Sequence, residues 1–495
     1  MKRKTESRLK ILVGLSWQLL RLQLSGHQRR EQGNRLLFDT FQNLGGIYVK
    51  FLQILVLDAG FLKGWASPAE YNVFESVDYE DIDLPALLKS DIPDYEQRFL
   101  TIDLQPFAAG SFAQVYRGRL RDNTEVVLKV LRPSLVQNLQ HDLRLLSWIV
   151  RLTGLMSKRR PFNIRELYKQ FRGTVREETN YPREIKNAVW FYNYFQDNDD
   201  VVIPKTYEDL SGERIIVQEL IGGISLAEVF KAQGEGEEPS LYVYEKLGSN
   251  IWTQLEIFGT ELLLGILTAD LIIGDPHPGN IKLLPENKIG LIDFGIAAAA
   301  PVNRQAFLNL LKEYEKVYAG TFDAGTFTVA ALQFFDEELT QVLDVAGQVL
   351  TPWEPRFLLR KIGDAARKAL EDVKLNPQVA DLLDQKTIMR LFNQSINDQN
   401  RFGVTIDLKA ADMLKSAGTC IKVIRSIGTY EQTSPVVYHG LRRAISIAES
   451  GKLQTSHISP TPRPEYALEF LSSWLASIAD SDPFLYKQIT GTINS

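Results

Sequence analysis

The chain has 495 residues, 44% hydrophobic, 24% charged and 10% aromatic, with a formal net charge of -5 at pH 7. This is the composition of an ordinary folded protein, long enough for more than one average domain, and its acidic balance carries no footprint of nucleic-acid binding. A single cysteine, Cys420, excludes an intramolecular disulfide framework and a cysteine-based metal site, so a reducing cytoplasmic setting and a buried, small apolar thiol are expected.

No run reaches the roughly 18 to 20 apolar residues that a membrane-spanning helix needs. The stretch RLKILVGLSWQLLRLQL, from Arg8 to Leu24, is apolar but interrupted by Gln18 and Arg21, and no small-residue cleavage site follows it. It is not expected to be a secretory signal. It reads as an amphipathic helix, either packed on its own protein or lying on a bilayer with Trp17 at headgroup level, so peripheral membrane contact stays open as a partner.

Leu9 to about Leu62 reads as two or three helices. In the last of them, the apolar IYVKFLQILVL, Lys50 and Gln53 lie three apart on one side and call for something polar to face. From Phe99, FAAGSFAQVYRGRL and TEVVLKVLRPS carry β-branched and aromatic residues between turn signals, the mark of hairpin strands. Helical spacing returns in HDLRLLSWIVRLTGL and through IRELYKQFRGTVREETNYPREIKNAVWFYNYF. VVIPKTYEDLSGERIIVQEL is expected to add two strands to the same sheet, and KAQGEGEEPS, Lys231 to Ser240, to be a loop. Helices follow in NRQAFLNLLKEYEKVY, PRFLLRKIGDAARKALEDV and GLRRAISIAES, before a proline-rich linker from His457 to Tyr466. The expected domains are a helical extension over 1–98, a strand-rich lobe over 99–222, a helical lobe over 223–330 and a helical extension over 331–495.

The chemistry concentrates in GDPHPGNIKLLPENKIGLIDFG. Asp275 and Asn280 are set five apart on a loop stiffened by Pro276 and Pro278, and Asp293 follows a short apolar strand, the spacing of a kinase catalytic loop and its metal-binding Asp-Phe-Gly. Phosphoryl transfer needs a carboxylate beside the attacking oxygen, here Asp275, and hard oxygen donors for magnesium, here Asn280 and Asp293. Lys129, flanked by valines and leucines on a strand, is costly unless an anion such as the ATP α/β-phosphates meets it. The small residues Ala108, Ala109, Gly110 and Ser111 let backbone approach phosphates closely. After the Asp-Phe-Gly the chain is expected to run straight into a helix, with no long activation segment and no Ala-Pro-Glu, which disfavours a protein substrate.

Taken together, LGGIYVKFLQ, FAAGSFAQVYRG, VVLKVLRP, EETNYPREIKNA and GDPHPGN with LIDFG resemble the UbiB/AarF/ADCK family of atypical, ABC1-type kinase-like proteins. The resemblance implies an α+β, two-lobed protein-kinase-like fold, with a small antiparallel-sheet N-lobe, a helical C-lobe and helical extensions at both ends. It implies ATP or ADP and Mg2+ as cofactors, and an alanine-rich loop at Ala108, Ala109, Gly110 and Ser111 in place of the kinase glycine-rich loop. It implies that Glu184 pairs with Lys129, that Glu219 belongs to the nucleotide-binding group, and that a lid motif made of Lys50 and Gln53 covers the site toward Glu178 and Asn180. Leu52 stands where the family's lid motif has glycine, and Asn180 where the family has aspartate. The function so implied is an ATP-dependent phosphotransferase or ATPase in quinone or other isoprenoid-lipid metabolism. The alternatives are a nucleotide-binding pseudokinase scaffold and a small-molecule kinase of the aminoglycoside or choline type. The N-terminal Lys-x-x-Gln helix and the alanine-rich loop stand against the last.

Overall fold

The computed structural model describes residues 79–155, 164–299 and 304–320, apart from Ser111 and Asp275, together with 408–450 and a few positions within 40–51 and 321–334. These residues form two compact units. One contains residues up to 193, 204–221 and 293–296, and the other 194–203, 222–292 and 297 onward.

The first unit opens with helices α1 (Leu84–Asp91) and α2 (Tyr95–Arg98), α1 being capped by the Asp83 carboxylate, which accepts from Ala86 N. Strands β1 (Phe99–Ile102), β2 (Ala108–Ala109), β3 (Ala113–Leu120) and β4 (Glu125–Leu131) follow, then helices α3 (Pro133–Leu155), α4 (Ile164–Glu178) and α5 (Tyr181–Tyr194). β5 (Val201–Val202), which belongs to the second unit, precedes β6 (Ile215–Glu219) of the first. The sheet is antiparallel in the order β1-β3-β4-β6, with β2 on β3. Because side chains alternate along a strand, Val126, Leu128 and Val130 of β4 share one face, where they are buried with Tyr116, Val217 and the α1 residues Leu84, Leu87 and Leu88. Lys129 therefore points from the other face. The helix α1 precedes the residue-98 boundary expected from the sequence yet packs into the core of the sheet.

The long helical stretch expected across Asn180 is two helices. Pro182 has no N–H to continue a ladder to Glu178, and Asn180 caps the new start: its carbonyl accepts from Glu184 N and its side chain from Arg183 N at 3.2 Å. Of the segment around residues 40–51, the described positions Leu44, Ile47, Tyr48 and Phe51 are buried at helical spacing. Tyr48 donates to the Asp142 carboxylate at 3.2 Å and Phe51 packs edge-on against Phe171 with centroids 5.0 Å apart.

In the second unit, β7 (Ile224–Ser225) leads into α6 (Leu226–Gly234), α7 (Pro239–Leu247) and α8 (Ile251–Thr268). The expected loop from Lys231 to Ser240 is therefore mostly helical. Only 235–238 lie between α6 and α7, because a Ser225–Glu228 capping box starts α6 and Pro239 starts α7. Strands β8 (Leu271–Ile273), β9 (Ile281–Leu283), β10 (Ile289–Leu291) and β11 (Ala297–Ala299) precede α9 (Arg304–Tyr318), and α10 (Leu408–Ser426) and α11 (Tyr430–Ser450) come later. β5, expected beside β6, instead pairs parallel with β10 in the order β5-β10-β9-β7. The expected run from the Asp-Phe-Gly straight into a helix is interrupted by β11, which pairs with β8. α8 is apolar on nearly every side and is the core of this unit. α10 and α11 pack on it, close enough at Gly440 for Thr260 Oγ1 to donate to the Gly440 carbonyl at 3.3 Å. Among the described residues no helix is long and apolar enough to cross a membrane.

Candidate functional site

Lys129 lies on β4 opposite Val115 of β3 and Ile216 of β6, so its backbone is held on both sides. Its Nζ donates to Glu184 Oε1 at 2.6 Å and to Asp293 Oδ2 at 3.0 Å. Glu184 is 2% exposed, and the Lys129 and Asp293 side chains 21% and 34%. One cation thus serves two carboxylates, one sealed and one open to solvent. Burial pushes the Glu184 carboxyl up to about 7, against the pull of Lys129 and with the further push of Asp293. Burial works against the Lys129 ammonium too, but Asp293 and then Glu184 outweigh it and hold the lysine well above its usual range. The Tyr181 ring lies 5.8 Å from Nζ and is fully buried.

Asp293, Phe294 and Gly295 are fixed from the same helix, α5. Phe294 is 1% exposed and stacks on Phe191, with centroids 5.0 Å apart and planes at 26°. Its carbonyl accepts from Asn187 Nδ2 at 2.9 Å, and Gly295 N donates to Asp293 Oδ1 at 3.0 Å. A Cβ on Gly295 would stand 3.3 Å from Glu184 Oε2 and 3.4 Å from Asp293 Oδ1, so glycine keeps room for both carboxylates.

The remaining sequence-designated residues are spread over both units. Ala108 and Ala109 form β2 against Val115 and Gln114, and Gly110 N donates to Ala113 O at 2.8 Å, closing a tight turn. Glu178 ends α4, partly buried and close enough to add to the upward push on Glu184. Asn180 is the exposed cap of α5, and Glu219 is an exposed residue at the end of β6, opposite Val126. In the second unit Asn280 closes a single 3-10 turn, Pro278–Asn280, and its carbonyl accepts from Ile292 N at 3.1 Å. Asp275, Ser111, Lys50 and Gln53 lie outside the described residues. Sequence reasoning overlooked Tyr181, Asn187 and Phe191. Their signal was spacing, since Tyr181, Glu184, Asn187, Ala188 and Phe191 all lie on the buried stripe of α5.

Among the described residues no three His, Cys, Asp or Glu side chains cluster as a ready-made metal site. The donors present still suit magnesium. It binds through one or two protein oxygens while phosphates and waters complete its shell, and the Asp293 carboxylate, partly exposed, is of the donor type it takes.

The sequence profile of the ABC1 atypical kinase-like domain matches residues 83–317. Residues 83–317, a little under half of the chain, are thus similar to an ABC1 atypical kinase-like domain, and the relatives that match the chain carry UbiB names. The chain's α+β architecture is accordingly of the protein-kinase-like class. Curated relatives carry the name "Probable protein kinase UbiB". That of Vibrio parahaemolyticus is 29% identical over 232 residues, 45% of this chain and 40% of the relative. That of Tolumonas auensis is 24% identical over 357 residues, 71% of this chain and 59% of the relative. That of Shewanella baltica is 30% identical over 282 residues, 54% of this chain and 48% of the relative. The chain thus spans about half the length of these relatives. Among solved structures, the complex of Rv3197 with erythromycin from Mycobacterium tuberculosis aligns with a TM-score of 0.38 and 21% identity, over 58% of this chain and 70% of that one.

Proposed function

We propose that this chain binds a magnesium nucleotide and acts as an atypical kinase or ATPase on, or switched by, an isoprenoid-lipid or quinone-precursor molecule. The observation that carries the reading is the ion pair of Lys129 with the buried Glu184, completed by Asp293 of the Asp-Phe-Gly segment. A buried carboxylate beside a lysine holds that lysine charged and aimed, which is what binding of the α/β-phosphates requires. In this reading Lys129 turns from Asp293 to the phosphates, Glu184 keeps its hold on the ammonium, and Asp293 and Asn280 hold magnesium. Asp275 takes the proton of the acceptor, and Ala108, Ala109, Gly110 and Ser111 lie along the phosphates, with Glu219 in the nucleotide-binding group. Magnesium, when bound, would neutralise phosphate charge. Lys50 and Gln53 act as a lid with Glu178 and Asn180.

One feature favours a small or lipid-like acceptor over a protein. The segment from Gly295 to Arg304 holds β11 and a few residues more, too little for a peptide-binding platform. The test is a titration of the wild-type chain and an Asp293→Ala variant with a fluorescent ATP analogue, with and without magnesium, followed by phosphate release with and without isoprenoid-containing liposomes. Magnesium-dependent binding that Asp293→Ala abolishes, with slow phosphate release, supports the reading. Binding without release leaves the nucleotide-binding pseudokinase scaffold, and no binding by the wild-type chain overturns both.

A further inference from the structure

Asn187 hydrogen-bonds neither Lys129 nor a carboxylate, yet it is 7% exposed and donates its side-chain amide to one main-chain oxygen, Phe294 O, at 2.9 Å. A buried polar side chain is tolerated only where it is hydrogen-bonded, so what the bond holds in place is the question. The Phe294 carbonyl and the Gly295 N–H are the two ends of one peptide group. Asn187 takes the first end, and the Asp293 carboxylate takes the second at 3.0 Å.

We propose that Asn187 is a positioning residue that locks the plane of the Phe294–Gly295 peptide, and so keeps the Gly295 N–H on Asp293 and that carboxylate turned for a magnesium-bound polyphosphate. A peptide preceding glycine turns over at low cost, because glycine accepts either sign of φ. A half-turn here would carry the N–H away from Oδ1 and bring the electron-rich Phe294 carbonyl toward the carboxylate. Phe191, stacked on Phe294, fixes the ring but leaves the peptide free to rotate about it, so the plane is held by the hydrogen bond from Asn187. The inference rests on the nucleotide reading above and concerns the orientation of Asp293 alone.

The experiment uses the full chain as wild type, Asn187→Leu, which keeps volume and removes the donor without adding charge, and Ile185→Ala, which opens a cavity on the same helix. Fluorescent ADP binding is titrated against magnesium and repeated in chelator, with thermal melting alongside. The expected result for Asn187→Leu is a rise of about tenfold in the magnesium concentration giving half-maximal binding, the weight of one buried hydrogen bond. Its affinity in chelator should match that of the wild type, and Ile185→Ala should keep the wild-type magnesium dependence. An unchanged magnesium dependence in Asn187→Leu overturns the proposal, and so does an equal shift in Ile185→Ala, which would mark a general loss of packing. Where Asn187→Leu shows no cooperative melt, Asn187→Ser, too short to reach the carbonyl, is judged by the same criterion. A wild-type chain that binds no nucleotide overturns the nucleotide reading and this inference together, whereas magnesium-dependent wild-type binding with an unaltered variant overturns this inference alone.

Discussion

Replacing Lys129 by methionine removes the shared cation while keeping an unbranched apolar stem on β4. The loss falls on Glu184. Asp293, with a third of its side chain exposed, can turn to water, but Glu184 is 2% exposed and cannot. Removing one partner of a buried ion pair costs about 3–5 kcal/mol, unless the remaining group can shed its charge. Glu184 can, because its carboxyl already stands at about 7 against 4.5 in the unfolded chain. Between those values the folded state holds a proton that the unfolded state releases. The contribution of Glu184 to stability therefore falls as pH rises through that window, by at most about 3 kcal/mol. Without Lys129 the main downward pull on Glu184 is gone, its pKa climbs further, and the decline continues above pH 7. The lysine's own raised pKa contributes stability that is fully present below 10.5 and is lost only above it, so it is constant across the neutral range. The deficit of Lys129→Met should accordingly be larger near pH 8.5 than near pH 6, by about 2 kcal/mol. Adding Glu184→Gln, which puts a neutral amide in the same space, should recover most of it. Urea unfolding followed by tryptophan fluorescence at the two pH values measures both effects. An equal deficit at both, or a double variant no more stable than the single, would refute the assignment of Glu184 as the buried charge that Lys129 compensates.

Three further outcomes follow from local geometry. Gly223 has φ of +73° and a Cβ there would stand 2.2 Å from the Leu283 carbonyl oxygen, so Gly223→Ala should lose at least about 3 kcal/mol or fail to fold, read by thermal melting. Gly295→Ala should keep the fold, because the nearest atoms are the ends of two side chains, but should weaken magnesium-dependent nucleotide binding about tenfold by pressing on Glu184 and Asp293. Asn180→Asp should change stability by less than about 0.5 kcal/mol and Asn180→Ala should cost about 1 kcal/mol, since asparagine and aspartate cap helices equally well and alanine does not.

The sequence was most legible where residue type and period agreed. Lys129 among β-branched neighbours had to face something anionic, and the strand alternation that puts Val126, Leu128 and Val130 into the core leaves it on the opposite face, 2.6 Å from Glu184. The break before α5 was equally available in Asn180 and Pro182, a cap followed by a proline in the first helical turn, but the strong helical spacing on either side masked it. β5 could not be assigned to its sheet from the sequence. Two residues carry no period, and its partner, β10, lies almost ninety positions later. Asn187 was overlooked for a different reason. Its spacing puts it on the buried stripe, but in EIKNAVW it reads as one more polar residue of an amphipathic helix, and only the fold reveals that Phe294 O waits there.

The placing of these contacts along α5 bears on how the site is assembled. Tyr181, Glu184, Asn187 and Phe191 recur every three or four residues, so their side chains stack up one side of a single helix. The first two meet Lys129 of the sheet and the last two meet Phe294, so the lysine and the Asp-Phe-Gly segment are referred to one rigid element. Sliding that helix by one turn displaces it about 5.4 Å, beyond the tolerance of any hydrogen bond in the set, and would break all four contacts together. The cap at Asn180 fixes where the helix begins and hence which residues fall on the stripe. That gives Asn180 a role that an aspartate could fill equally well and that requires no metal, whereas the charge-bearing work of this unit falls to Lys129, Glu184 and Asp293.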